Sequence, residues 1–285
     1  MGASVEIRPL QGRAGIWYEA RRDAPDAIIF VPFRDFRAKK YMAMNAPYDW
    51  RRSDRRLFAA IAILFPTIIL IGFARTYYLK FAFGNPPLPG LLVHVHGLLM
   101  TTWIAFFITQ VWLIRSKRPK VHMNLGVLGI ALAIAIIAAG FFTAVSAAKY
   151  GSASTPPNIP PLAFLVVPIF DLLVFAGLFG AAIYYRQRLA DHKRLMLLTA
   201  LNFLPPGLGR FPFASLQALG PLFFFGVPTV LAIAILIYDT WRNRKLNVVF
   251  LIGALFMIAS FPLRIMISGT DVWMRFATWL TTWPV

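Results

Sequence analysis

The chain has 285 residues, of which 59% are hydrophobic and 14% are charged. Because a soluble domain cannot hide that much apolar surface, the composition excludes an ordinary soluble protein and predicts an integral membrane protein. The formal net charge of +18 comes from basic residues spread among loop ends, and a distribution of this kind is not the basic face of a nucleic-acid-binding domain.

The first 41 residues differ in composition from the rest of the chain. They contain five of the eleven acidic residues, and their longest apolar run, from Ala27 to Phe33, is interrupted by Pro32. This pattern is neither a membrane span nor a signal peptide. Three interpretations remain open: a poorly ordered cytoplasmic tail, a small packed extension, or an upstream extension of a chain whose working start is Met42 or Met44. The abrupt change in composition favours the last.

Residues 42–268 contain seven continuous apolar segments of the length that a helix needs to cross a bilayer, roughly 17–25 residues. Their continuity excludes the alternating pattern of a membrane β-barrel. We therefore predict an all-α integral membrane bundle of seven transmembrane helices in contact with the lipid bilayer. The predicted spans are Leu57–Ala74, Leu91–Ile114, His122–Ala148, Leu162–Tyr185, Leu195–Phe213, Leu222–Tyr238 and Val248–Ile267.

Basic residues give the predicted orientation. They cluster before the first span and in the loops after the second, fourth and sixth spans, and are sparse in the other loops. The positive-inside rule then places the N-terminus in the cytoplasm and the C-terminus outside, with the chain in the plasma membrane, the inner membrane of a bacterium.

Residues 269–285 carry an aromatic cluster that includes Trp273, Phe276, Trp279 and Trp283. The segment is too short to cross hydrocarbon, and tryptophans favour the headgroup region of a bilayer. We predict a C-terminal helix that lies in the outer interface and acts as an anchor.

Charged side chains inside the apolar segments indicate a candidate site, because such residues are costly in hydrocarbon. The segments contain one acidic residue, Asp171, and two arginines, Arg210 and Arg264, and these lie at similar predicted depth in the outer half, as does His96. The run Pro205–Gly207 before Arg210 breaks a helix, and broken helices at membrane depth are found where the backbone lines a cavity.

Two interpretations of these four residues stay open. Asp171 with one arginine forms a structural lock between helices. The second arginine is then surplus, which favours an outward-facing pocket where Arg210 and Arg264 hold the negative group of a small ligand and Asp171 orients them.

The inner histidines give an alternative. His122 begins the third span and His192 precedes the fifth, so both lie at the same cytoplasmic edge, where two axial ligands of a b-type haem would have to meet. On the second span, His96 shares a face with Trp103 and Gln110, while His94 points elsewhere.

No cysteine is present and no glutamate follows Glu19. Thiolate sites, glutamate-rich di-iron sites and zinc-protease motifs are therefore excluded, so we predict no protein-bound metal and identify no catalytic residue.

Four motifs occur in order from Met42 to the C-terminus. They are His94–Gly97, Val121–Gly126, Asp191–Met196 and the stretch from Leu204–Pro205 to Arg210–Phe213. As an ordered set they resemble a family of uncharacterised bacterial multi-pass inner-membrane proteins. The resemblance implies that fold and location but no activity. The histidines at span ends are also loosely similar to those of b-type cytochromes and haem-handling membrane proteins.

These patterns lead to three functional hypotheses. The first is a membrane protein that binds or passes a small anionic or amphipathic ligand through His96, Asp171, Arg210 and Arg264. The second is a haem-binding redox or haem-handling protein that uses His122 and His192. The third is a structural subunit of a membrane complex. Whether the chain is an enzyme, and its oligomeric state, do not follow from the sequence.

Overall fold

The computed structural model describes residues 8–12, 15–19, 28–32, 52–85, 90–152, 155 and 158–284. The chain divides into two compact units, Met1–Arg52 and Ser53–Val285. The described part of the first unit is an antiparallel sheet in the order β1-β2-β3, with strands β1 (Arg8–Gly12), β2 (Gly15–Glu19) and β3 (Ile28–Pro32). Met42 and Met44 lie outside the described residues, so a start at either one stays a prediction.

The described part of the second unit is helical, as the apolar segments predict. A π-helical turn, Ala74–Tyr78, extends the first helix. The twelve α-helices of the described residues are α1 (Arg52–Phe73), α2 (Leu91–Arg115), α3 (Pro119–Tyr150), α4 (Pro161–Phe164), α5 (Val166–Tyr184), α6 (Leu189–Asn202), α7 (Leu204–Leu208), α8 (Ala214–Gln217), α9 (Pro221–Phe224), α10 (Gly226–Asn243), α11 (Val248–Ser268) and α12 (Asp271–Thr281).

Six helical segments of the described residues are long and apolar enough to cross a membrane, which is compatible with a multi-pass membrane protein. They correspond to the predicted spans other than the fifth. Their bounds are Leu57–Tyr78, Leu91–Arg115, Pro119–Tyr150, Pro161–Tyr184, Pro221–Asn243 and Val248–Ser268.

The fifth predicted segment, Leu195–Phe213, is not one continuous helix. It is divided into α6 and α7, with Phe203 between them. Proline lacks a backbone donor and fits the first turn of a helix, so Pro205 and Pro206 start α7 and do not continue α6. A seventh crossing by α6 and α7 together therefore remains a prediction.

Helix α6 lies at the centre of the bundle in spite of its short length. It packs on α5 and α11 and also contacts α10. Every residue from Leu197 to Leu201 is buried, and so is Asn202. A helix that protein covers on all sides needs no continuous stripe of apolar residues facing lipid. Hydropathy along the sequence is therefore a poor guide to the structure of this segment.

The α7 helix approaches α1 with its backbone. A Cβ atom added to Gly72 of α1 would overlap the carbonyl oxygen of Gly207 and lie 2.8 Å from its Cα atom. Small residues allow this approach between membrane helices. The two glycines thus fix the position of the chain just before Arg210.

The C-terminal aromatic segment contains helix α12, which packs on the helical unit. Trp273, Ala277 and Leu280 are buried against the end of α3, against α4 and against the start of α5. The Trp273 indole N–H donates to the carbonyl oxygen of Leu162 at 2.9 Å. Its predicted place in the outer interface stays a prediction.

A topology measurement tests whether α6 and α7 cross together. If they did not cross, the basic cluster Arg242–Lys245 would lie on the opposite side from the other clusters, against the positive-inside rule. We expect a reporter that is active only outside the membrane to be active when fused after Val285 and inactive when inserted at Arg186. Activity at neither position would show that both lie inside and that the chain crosses an even number of times.

The glycine contact gives a stability prediction. Gly72→Ala should lower the free energy of unfolding by about 1–3 kcal/mol, because the added carbon overlaps backbone that cannot move freely. Gly180→Ala is the matched control, since a Cβ atom there meets no other atom within 4 Å. Thermal unfolding of the detergent-purified variants measures both. Equal midpoints for the two would contradict the close backbone contact.

Candidate functional site

A buried ion pair joins α5 to α11. The Arg264 Nη1 donates to Asp171 Oδ1 at 2.5 Å, and Arg264 is 0% exposed. Its Nη2 donates to Ser260 Oγ, one turn earlier on α11, at 3.2 Å. The Arg264 Nε has no hydrogen-bond partner among the described residues. The sequence predicted Asp171 and Arg264 at similar depth, and the structure brings them together.

Aromatic rings and an amide complete the surroundings of the ion pair. The Arg264 guanidinium carbon lies 5.1–5.9 Å from the ring centroids of Phe170, Phe225 and Phe261. The buried Asn202 of α6 donates to the backbone carbonyl of Asp171 at 2.9 Å. The pair is thus buried and joins two helices, as expected of a structural lock.

Arg210, the second predicted arginine, takes no part in that ion pair. It follows α7, where its Nη1 donates to the Pro206 carbonyl at 2.6 Å and its guanidinium lies 4.5 Å from the centre of the Phe73 ring. Its charge acts electrostatically on His96 of α2. The His96 Nδ1 is buried and has no hydrogen-bond partner among the described residues.

Of the four predicted residues, Asp171 and Arg264 form an ion pair, whereas His96 is related to Arg210 through the electrostatic effect of the arginine charge. At Gly140 of α3, an added Cβ atom would lie 3.6 Å from His96 Cε1 and 2.9 Å from a methyl group of Leu172, the residue after Asp171. Both His96 and Arg210 are half-buried.

A second buried ion pair was missed by the sequence analysis. Arg194 of α6 donates to Asp239 of α10 with two nitrogens, at 2.9 Å from Nε and 2.6 Å from Nη2. Asn243 donates to the same carboxylate at 3.0 Å. Asp239 follows the predicted span that ends at Tyr238, so it was not counted among the charges in apolar segments. The sequence pattern that could have predicted this pair is a carboxylate at the end of one span together with Arg194 in another predicted loop.

The two inner histidines also meet. The ring centroids of His122 and His192 are 6.3 Å apart, with an angle of 77° between the ring planes. His192 Nδ1 lies 2.8 Å from the carbonyl oxygen of Ala182, and burial lowers the pKa of His192 from its ordinary value. The sequence predicted this pair from depth alone.

Buried polar atoms near these histidines lack partners. The Nδ1 of His122 and both side-chain polar atoms of Gln110 have no hydrogen-bond partner among the described residues. The backbone carbonyl of Gln110 interacts with the His122 ring. No group of three or more histidine, aspartate or glutamate side chains in the described part of the chain is arranged to hold a metal ion.

Comparison of the chain with protein-family models, with curated proteins and with solved structures finds no match.

The Asp171–Arg264 pair gives a stability prediction. Asp171→Asn leaves a buried guanidinium without its carboxylate and should cost about 3–5 kcal/mol of unfolding free energy. The double variant Asp171→Leu, Arg264→Met should recover much of that loss, because apolar groups of similar volume often replace a buried pair without cost. Thermal unfolding in detergent measures each variant.

Asp271→Asn is the control for that experiment. Asp271 is exposed at the start of α12, so its replacement should change stability by no more than about 0.5 kcal/mol. A double variant less stable than Asp171→Asn would show that the two side chains do more than neutralise each other.

Proposed function

We propose that the chain is a multi-pass membrane protein that binds, or passes across the bilayer, a small anionic or amphipathic ligand at Arg210 and His96. The observations that carry the proposal are the half-buried Arg210 guanidinium, which stacks on Phe73, and the buried Nδ1 of His96, which has no partner among the described residues. An arginine can grip a carboxylate or phosphate through two parallel hydrogen bonds. A neutral imidazole beside it adds one donor or acceptor.

The helix break supports the same proposal. Arg210 follows the short α7 helix, which begins at the two prolines and ends at Leu208. Irregular backbone at membrane depth is tolerated where it is buried in protein or lines a cavity. The π-helical turn Ala74–Tyr78 lies across from it on α1, and such turns are frequent at functional sites.

The ligand class follows from the surroundings of Arg210. The guanidinium stacks on Phe73, and Phe211 and Phe213 follow it in the chain with their rings in contact at 6.3 Å between centroids. Phe213 is 53% exposed. A cation flanked by apolar rings suits a ligand with one negative group and an apolar body, such as a fatty carboxylate.

The Asp171–Arg264 pair has a supporting role in this proposal. It joins α5 to α11 and engages Arg264, and the proposal assigns the ligand to Arg210. The site would face outward in the orientation that the basic loops predict, with the lipid bilayer as the surrounding partner and the bacterial inner membrane as the location.

Binding to detergent-purified protein tests the proposal. Decanoate should raise the unfolding midpoint in a saturable way, and at a concentration 100 times the dissociation constant the gain should be about 2.7 kcal/mol. Arg210→Gln should remove this gain. Arg210→Lys should reduce it, because an ammonium lacks the planar fork of the guanidinium. A non-ionic detergent is used because it has no negative group that could compete with decanoate for the site.

Arg275→Gln is the matched control, since Arg275 is an exposed arginine of α12 and its loss changes the net charge equally. It should bind decanoate like the unaltered protein. Inorganic phosphate and acetate, tested in parallel, show whether the apolar body of the ligand matters. The proposed site would be contradicted if decanoate raised the unfolding midpoint of Arg210→Gln as much as that of the unaltered protein. It would also be contradicted if none of the three anions raised the midpoint in a saturable way.

A further inference from the structure

The histidine pair at the other end of α2 forms a separate cluster. His122 is the fourth residue of α3 and His192 the fourth residue of α6, so each stands in the first turn of its helix. Both side chains are half-buried. They come from segments far apart in the chain, yet their ring centroids are 6.3 Å apart.

Hydrogen bonding fixes the proton on His192. A carbonyl oxygen can only accept, so the contact of Nδ1 with the Ala182 carbonyl at 2.8 Å places the proton on Nδ1 and leaves a lone pair on Nε2. Metal-ligating histidines usually donate their other ring N–H to a carbonyl in this way. The Nδ1 of His122 is buried without a partner among the described residues.

The ring separation distinguishes between kinds of metal site. Two imidazoles on opposite sides of one metal, with metal–nitrogen bonds of about 2.0 Å, have centroids about 6.2 Å apart, whereas tetrahedral ligands would bring them to about 5 Å. The observed 6.3 Å matches the opposed separation, and it is also the spacing of the edge-to-face contact that the two rings make. The described residues contain no group of three or more histidine, aspartate or glutamate side chains that could hold a metal ion. A haem brings four equatorial nitrogens of its own and needs only two protein ligands.

We propose that His122 and His192 are the two axial ligands of a b-type haem, whose porphyrin supplies the four equatorial nitrogens. Axial histidines from two helices are a common way to hold haem iron. Gly126, one turn after His122, would meet no atom within 4 Å if it carried a Cβ, so the helix surface next to His122 is open at this point. The first turns of helices favour anions, and Lys120 is exposed beside His122, so the propionates have a positive surface. This site is independent of Arg210.

Optical spectroscopy of the full chain tests the assignment. Protein purified from haem-replete cells, or apoprotein titrated with hemin, should bind one haem per chain with the sharp α and β bands of a six-coordinate low-spin reduced haem. His122→Ala and His192→Ala should each abolish the low-spin spectrum. His94→Ala should keep it, because His94 is exposed on α2.

A loss of spectrum must be separated from a loss of fold. His122→Met and His192→Met supply a different axial ligand, so each should restore a low-spin haem with altered bands and a higher reduction potential. Size-exclusion chromatography reports the fold of every variant. The proposal is overturned if the unaltered protein takes up no haem by either route, if it holds copper or zinc stoichiometrically without haem, or if folded His122→Ala and His192→Ala both keep the low-spin spectrum.

Discussion

The Asp171–Arg264 ion pair is the interaction on which the arrangement of helices α5, α6 and α11 depends. Inside hydrocarbon, water cannot solvate either charged group. The helices that carry the two groups must therefore bring them together. The contact joins α5 to α11, and the Asn202 amide connects α6 to the backbone of the same aspartate. One polar contact thus sets the depth of three helices, and Arg194 with Asp239 does the same for α6 and α10.

Half of the buried side-chain polar atoms that have no partner among the described residues lie on one face of α2. His96, Trp103 and Gln110 follow one another at intervals of seven residues, and each has a buried polar atom with no partner among the described residues. Buried polar groups are normally satisfied, so each exception calls for a reason. The first of the three adjoins Arg210 and the last adjoins His122, which is where the two proposed sites lie.

The sequence predicted the class and most of the helices because long apolar runs depend only on composition along the chain. It predicted which residues lie at a similar depth in the membrane, because each residue of a helix advances a fixed distance along the helix axis. It could not predict which arginine pairs with Asp171, because that choice depends on the rotation of each helix, and Arg264 and Arg210 were equal candidates by depth. Asp239 was missed since it lies one residue beyond an apolar run, and the break at Phe203 was visible only as a proline pair.

The separation of paired charges along the chain has a consequence for biogenesis. Asp171 and Arg264 are 93 residues apart, and Arg194 and Asp239 are 45 residues apart. At a synthesis rate of 5–20 residues per second, Asp171 waits about 5–19 s for its partner. During that interval α5 must be accepted by the insertion machinery with an uncompensated carboxylate, at a cost of about 2.5–3.5 kcal/mol. Its otherwise apolar sequence offsets this cost. The newly made chain therefore passes through a stage in which Asp171 has no partner, and the synthesis of α11 ends that stage.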